Sequence, residues 1–196
     1  MFTAACTSTS VVEEPIVPET EAPVSFRSAV TRAVVDADKE NLQIYGVWGG
    51  FDGKYNLFDG EPVQTDGSYN GVRYWVNGKV HNFYALHPHP HPHPDNGGLP
   101  AAGVTCGQDG DGTFTISSFN AARNRGENAV DLMTAQCTGL NYTTGETPPP
   151  VGFTFRHELA WVEFEIKAAQ AVTIDFIRLR GIVYQGDISL TPGIHF

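Results

Sequence analysis

Between Phe153 and Gly181 the chain reads FTFRHELAWVEFEIKAAQAVTIDFIRLRG, and its large apolar residues fall on every second position instead of at helical spacing. From Trp161 to Lys167 the alternation is strict: Val162, Phe164 and Ile166 take one face, while Trp161, Glu163, Glu165 and Lys167 take the other. A segment with one apolar face must lay it on a core, so the pattern predicts strand, turn, strand. The small residues Ala168 to Ala171 supply the turn, and Val172, Ile174 and Phe176 continue the inward row before Ile177 and Leu179 take it over. That change of phase predicts a β-bulge near Phe176, because one inserted residue keeps the later side chains from moving to the wrong face.

Composition extends the same reading to the whole chain. Twelve Phe, seven Tyr and three Trp, with 21 Gly and 13 Pro but only two Met, favour strands and turns over helices. A chain of 196 residues can bury roughly 70% of its unfolded surface, enough for one sizeable core. The expected fold is all-β, a β-sandwich of Greek-key type over residues 24–196, preceded by a flexible tether. A formal charge of −10 argues against a nucleic-acid partner, since phosphate binding needs clustered Lys and Arg. The dense basic spots are Arg123 with Arg125 and Arg178 with Arg180, which read as solvated charges. There is no run of about twenty apolar residues.

Shorter strands are expected around Val24 to Phe26, Leu42 to Trp48, Asn56 to Phe58, Val72 to Val76, Val80 to Leu86, Thr113 to Phe119, Val130 to Ala135 and from Val151. Gly49-Gly50 reads as the break after the Leu42 to Trp48 strand. Asn77-Gly78 is a favoured two-residue type I′ turn, which predicts a hairpin between Val76 and Lys79. Pro148-Pro149-Pro150 stiffens the approach to Val151.

Thr7 to Pro23 is rich in Ser, Thr, Glu and Pro, and it cannot bury enough apolar surface to order itself. Ahead of it, Met1-Phe2-Thr3-Ala4-Ala5-Cys6 is similar to the end of a bacterial lipoprotein signal, which makes Cys6 the candidate lipid attachment. Thr3 departs from the usual aliphatic residue, and the alternative is an ordinary buried or free thiol at Cys6. With Cys6 lipidated, Cys106 and Cys137 remain as an even pair in an oxidising setting, a candidate disulfide. Such a bond would stabilise the fold by roughly 3 to 4 kcal/mol through loop-closure entropy. The pair lacks the CxxC spacing of zinc and redox sites.

The order and spacing of several elements resemble those of the fimbrillin-like proteins, the type V pilins of gut and oral anaerobic Gram-negative bacteria. Thr31-Arg32-Ala33 leads into the Leu42 to Trp48 strand, Tyr74-Trp75 precedes Phe83-Tyr84-Ala85, and Asp131-Leu132-Met133 precedes the segment from Phe153 to Phe164. The last segment, FTFRHELAWVEF, carries the family's Phe-x-His-x-Leu-Ala-x-Val-x-Phe pattern, and Gly181-Ile182 matches a later Gly-Ile pair. The resemblance covers roughly Phe26 to Leu190. It implies an exported surface lipoprotein precursor with an N-terminal β-sandwich, a fimbrial subunit, tip or anchor, without an active site or cofactor. Its implied partners are other pilin subunits or fimbrial accessory proteins and, through the lipid, the outer membrane. It also implies removal of the first strand by an arginine-specific protease and its replacement by a neighbour's strand. Arg32 best matches the processing position and Arg27 is a weaker match. The family's usual second β-domain has no counterpart before Phe196, so the expectation is an N-terminal half, whether as a truncated gene, a fragment or a one-domain relative.

Other residue clusters were weighed against this reading. The run His87-Pro88-His89-Pro90-His91-Pro92-His93-Pro94 favours an extended path on which neighbouring imidazoles diverge, so it reads as a solvent-exposed loop and not as a closed metal site. His157 is expected to satisfy buried backbone groups. Gln108-Asp109-Gly110-Asp111-Gly112 is half a calcium loop and reads as a hairpin turn into Thr113. Neither Gly-x-Ser-x-Gly nor HExxH occurs. The alternative to a fimbrial role is a lipid-anchored module for glycan or host protein, with Trp48, Trp75, Tyr55 and Tyr69 as stacking surface. A histidine-metal hydrolase is a more remote alternative.

Overall fold

A computed structural model describes residues 22–30, 44–90, 99, 103–107, 110–120, 130–160, 164–178, 180–181 and 185–192. Nine strands occur among them: β1 Phe26–Val30, β2 Ile44–Phe51, β3 Phe58–Gln64, β4 Val80–His87, β5 Val104–Cys106, β6 Phe114–Asn120, β7 Met133–Asn141, β8 Val151–His157 and β9 Gln185–Leu190. They form a six-stranded sheet in the order β1-β8-β7-β4-β2-β3 and a three-stranded sheet in the order β5-β6-β9. The chain passes between the sheets after β4, β6 and β8, and no α-helix occurs among the described residues. The all-β sandwich expected from the sequence is therefore the fold.

Strands β4 and β2, neighbours in the larger sheet, are buried on both faces along most of their length. Phe83 and Ala85 of β4 join Tyr45 and Val47 of β2 in one core, while Tyr84 and Leu86 point the other way, with Trp48, into a second. The second core lies between the sheets, where Phe114, Ile116 and Leu190 meet those side chains. The first core is enclosed by the larger sheet itself, which curls until its two ends meet. Phe26 on β1 and Phe58 on β3 stand at opposite ends of the strand order, yet their ring centroids are 5.0 Å apart. The Ser28 hydroxyl donates to the Thr65 carbonyl at 3.2 Å, tying the same two ends.

Several expectations change in the structure. Gly49 and Gly50 continue β2 instead of breaking it, because a Cβ on Gly49 would stand 2.5 Å from the Asn82 carbonyl oxygen on β4. The glycines mark close strand approach. Val72 to Val76 forms no strand; Tyr74 makes only an isolated bridge to Pro23. The turn at Asn77-Gly78 closes with Lys79 N donating to the Val76 carbonyl, but only Gly78 has positive φ there, so it is not type I′ and does not join two strands.

The largest correction concerns residues 164–178, which lie in no strand. Phe164, Ile166, Val172, Ile174, Phe176 and Ile177 are all exposed, Phe176 by 72%. Among the described residues of the alternating stretch, Phe153 and Phe155, on β8, are buried in the first core, and Leu159 packs partly buried against the second. Alternation marks a segment that can pair, but a strand forms only where another edge accepts its backbone, and these residues meet none. The bulge near Phe176 is absent for the same reason.

His81 on β4 is fully buried against Trp75 and Phe83. Its Nδ1 donates to the Lys79 carbonyl at 3.0 Å and its Nε2 accepts from Val76 N at 3.3 Å, a pattern that only the neutral ring can make. Burial accordingly lowers its pKa. With the folded value below the unfolded one, the neutral ring's contribution is fully present above the unfolded pKa and fades as pH falls below it. The denaturant midpoint is expected to be lower at about pH 5 than at about pH 7.5, with a smaller difference in His81→Gln, as read by urea unfolding.

Candidate functional site

The candidate site is β1 and the groove it fills. The chain entering it alternates as a closing strand does: Val24, just before β1, and Phe26, its first residue, are buried, whereas Ser25 and Arg27 are exposed. Phe26 stacks on Phe153 at 5.7 Å and meets Phe58, Tyr69 and Phe83 edge-on at 5.0, 5.6 and 5.9 Å. One residue thus touches aromatic rings from β3, β4, β8 and the connection after β3.

On one side β1 pairs with β8 in parallel, from Phe26↔Val151 to Val30↔Phe155. On the other side the contacts come from single groups. Val24 N donates to the Arg73 carbonyl at 2.8 Å, Trp75 N to the Ala22 carbonyl at 3.0 Å, and the Tyr69 hydroxyl to the Val24 carbonyl at 2.9 Å. Gly67 passes so close to the strand that a Cβ there would lie 2.2 Å from the Phe26 carbonyl oxygen. The segment is a stave laid between β8 and the chain following β3.

Cys6 and Arg32 lie outside the described residues; Arg32 follows the last residue of β1 by two positions in sequence. Cys106 and Cys137 are both free thiols. They do not form the candidate disulfide in the structure, because Cys137 packs on the core inside the curled sheet and Cys106 on the core between the sheets. Burial pushes the Cys106 thiol up to about 11, against an ordinary 9.0.

The remaining candidates also find their places. His157 donates from Nδ1 to the Asp131 carboxylate at 2.8 Å, a side-chain partner and not the backbone one expected. The first half of the histidine-proline run is docked: His87 Nδ1 donates to the Asp131 carbonyl at 3.2 Å, and His89 Nε2 to the Gly60 carbonyl at 3.1 Å. These four residues, 87–90, are partly buried and not free in solvent; His91 and His93 lie outside the described residues. Among the described residues no group of three or more His, Cys, Asp or Glu could hold a metal ion. Asp111 accepts from Thr113 N at 2.9 Å within the β5–β6 hairpin, as a turn residue does. Trp48 and Trp75 are only 7% and 5% exposed, so they cannot serve as the stacking surface foreseen for a glycan. Tyr55 accepts from Gly112 N at 2.8 Å and Tyr69 holds Val24, so both hydroxyls are structural.

What these elements define is a structural β-protein whose first strand closes its core. A family model described as fimbrillin-like matches residues 31–194, and the chain belongs to that family. It is a structural pilin family and not an enzymatic one; membership marks the chain as a fimbrial structural subunit of the cell surface that associates with other pilin subunits. No curated protein and no solved structure matches the chain. The family match begins at the residue after β1.

Because the thiolate is the reactive form, a raised pKa makes Cys106 slow to alkylate at mildly alkaline pH. Iodoacetamide is expected to label it several-fold more slowly in the native chain than in the urea-unfolded chain at about pH 8.5, with the gap narrowing as pH approaches the folded value. Mass-spectrometric timing of the labelled peptide checks this.

Proposed function

We propose that this fimbrial subunit assembles by giving up β1 and accepting a neighbouring subunit's strand in its place. The observation that carries the reading is the seat of β1: a single short strand, paired to β8 alone, whose Phe26 ring plugs a slot lined by Phe58, Tyr69, Phe83 and Phe153. A cut after Arg32 would release the strand from the body, leaving the β8 edge without its partner and the slot bare. An unpaired edge beside an apolar row is a template for another strand.

The energies favour exchange over permanent vacancy. Val24 and Phe26 each gain roughly 1.5–3 kcal/mol on burial, and each ladder hydrogen bond adds roughly 0.5–1.5 kcal/mol net. A donor with large apolar residues at alternate positions would recover these terms and could add more along the length of β8. Adhesion would then be a property of the assembled fibre.

The same cut would decide where the molecule resides. Residues 1–32 carry both Cys6 and β1, so a lipid on Cys6 would hold the uncut chain at the outer membrane, and cleavage would free the body for incorporation. An uncut copy would remain as an anchor.

Treatment of the folded chain with an arginine-specific protease is expected to give one trim, after Arg32, by intact mass. Mixed with a full-length pilin, the trimmed chain should form ladders that survive detergent, and Phe58→Asp, which places a charge in the slot, should abolish them. Resistance at Arg32, or trimming without association, would sink the exchange reading. In the uncut chain Phe26→Ala is expected to destabilise the fold by about 3–5 kcal/mol by denaturant titration and to speed the trim.

A further inference from the structure

Two buried side-chain atoms lack a hydrogen-bond partner among the described residues, the Tyr45 hydroxyl and Trp75 Nε1. The first belongs to the seat of β1. Tyr45 is fully buried, and its ring meets Phe153 and Phe155 of β8 edge-on at 6.0 and 5.0 Å. Ser28 of β1 stands in register with Phe153 and is the next inward position after Val24 and Phe26. Its oxygen lies near enough to act on the Tyr45 hydroxyl, yet no hydrogen bond forms between them, and the Ser28 proton goes to the Thr65 carbonyl at 3.2 Å. Asp66 acts on Tyr45 as well, but its carboxylate is exposed and accepts from Ser68 N at 2.9 Å. Burial pushes the Tyr45 pKa up to about 12, so the group stays a donor, and what it lacks is an acceptor.

We propose that Tyr45 is a specificity-determining residue of the groove, and that the strand replacing β1 carries an asparagine or glutamine two positions from its apolar anchor, its carbonyl accepting from the Tyr45 hydroxyl and its NH2 donating to the Thr65 carbonyl. Serine offers one donor, which Thr65 takes, and its oxygen falls outside hydrogen-bond geometry with Tyr45. A carboxamide is longer and carries two donors beside a separate acceptor, so one side chain serves both groups. Leaving a buried donor unmet weakens the strand that covers it, and meeting it favours the newcomer. That difference gives exchange a direction: β1 fills the slot with Phe26 but leaves one polar demand for the incoming strand. The choice of partner rests on the strand-exchange reading, whereas the unmet hydroxyl belongs to the chain with β1 in place.

The uncut full chain tests the hydroxyl, by native-state hydrogen exchange of β1 amides compared with those of β4. Ser28→Asn is expected to raise the relative protection of β1 about three- to ten-fold. Tyr45→Phe alone should keep wild-type protection, and in that background Ser28→Asn should gain nothing. A loss of protection in Tyr45→Phe means that the hydroxyl is already bonded, and an equal gain with and without it means that the carboxamide acts elsewhere; either overturns the proposal. Partner choice is read on the chain nicked after Arg32 with β1 still seated, as displacement of β1 by a synthetic peptide of residues 22–32 or by its Ser28→Asn form. The Ser28→Asn peptide should act at a concentration about three- to ten-fold lower, an advantage lost on the Tyr45→Phe chain. Displacement by both peptides at equal concentration overturns the carboxamide preference and leaves strand exchange standing, and that comparison needs no variant chain to fold. Failure of both to displace β1 sinks strand exchange itself and the partner assigned here with it.

Discussion

The contact between Phe26 and the rings around it holds the ends of a six-stranded sheet together. An open sheet of this size has two edges and one face that must find a cover. Here the sheet supplies its own cover by curling, and Phe26 is where the curl closes, against Phe58 from one end and Phe153 from the other. Tyr45, Val47, Phe83 and Trp75 owe their dryness to that closure. The strand carrying the ring lies at one end of the strand order, and its backbone pairs with one neighbour. The closure of the sheet and the strand exchange proposed for it thus turn on the same side chain.

Double burial of β2 and β4 follows from the same curl. With one face turned into the closed core and the other covered by the three-stranded sheet, these strands have no wet side, and polar groups on them must be satisfied within the protein. His81 meets that demand as a neutral ring bonded at both nitrogens. Two tryptophans are buried on and beside these strands: Trp48 packs edge-on against Phe114 and Trp75 against His81, which leaves neither for a ligand.

Much of the strand content was legible in the sequence. Val80 to Leu86, Thr113 to Phe119 and the segment from Val151 appear as β4, β6 and β8 within a residue or two, because each combines β-branched or aromatic residues with nearby turn formers. Residues 164–178 show where the pattern misleads. Their alternation is clearer than that of β4, yet they stay unpaired while β4 is central. Period two states which side chains share a face; it does not state whether an edge lies within reach. Gly49 and Gly50 mislead in the opposite sense, since a residue without a side chain reads as a break and serves here as a point of contact.

By itself the sequence determined the all-β class, the acidity, most strand positions and, through the motif around Phe153 to Phe164, the fimbrillin-like family. Those are properties of local spacing and residue type, which the chain carries before it folds. Only the tertiary structure decided that Phe26 would bridge β3 and β8, that Cys106 and Cys137 would be parted into different cores, that His157 would take Asp131 as its partner, and that the strongest alternating stretch would find no neighbour. Each of these depends on which strands lie side by side. That order is set by closure of the whole sheet, over sequence separations that no local pattern spans.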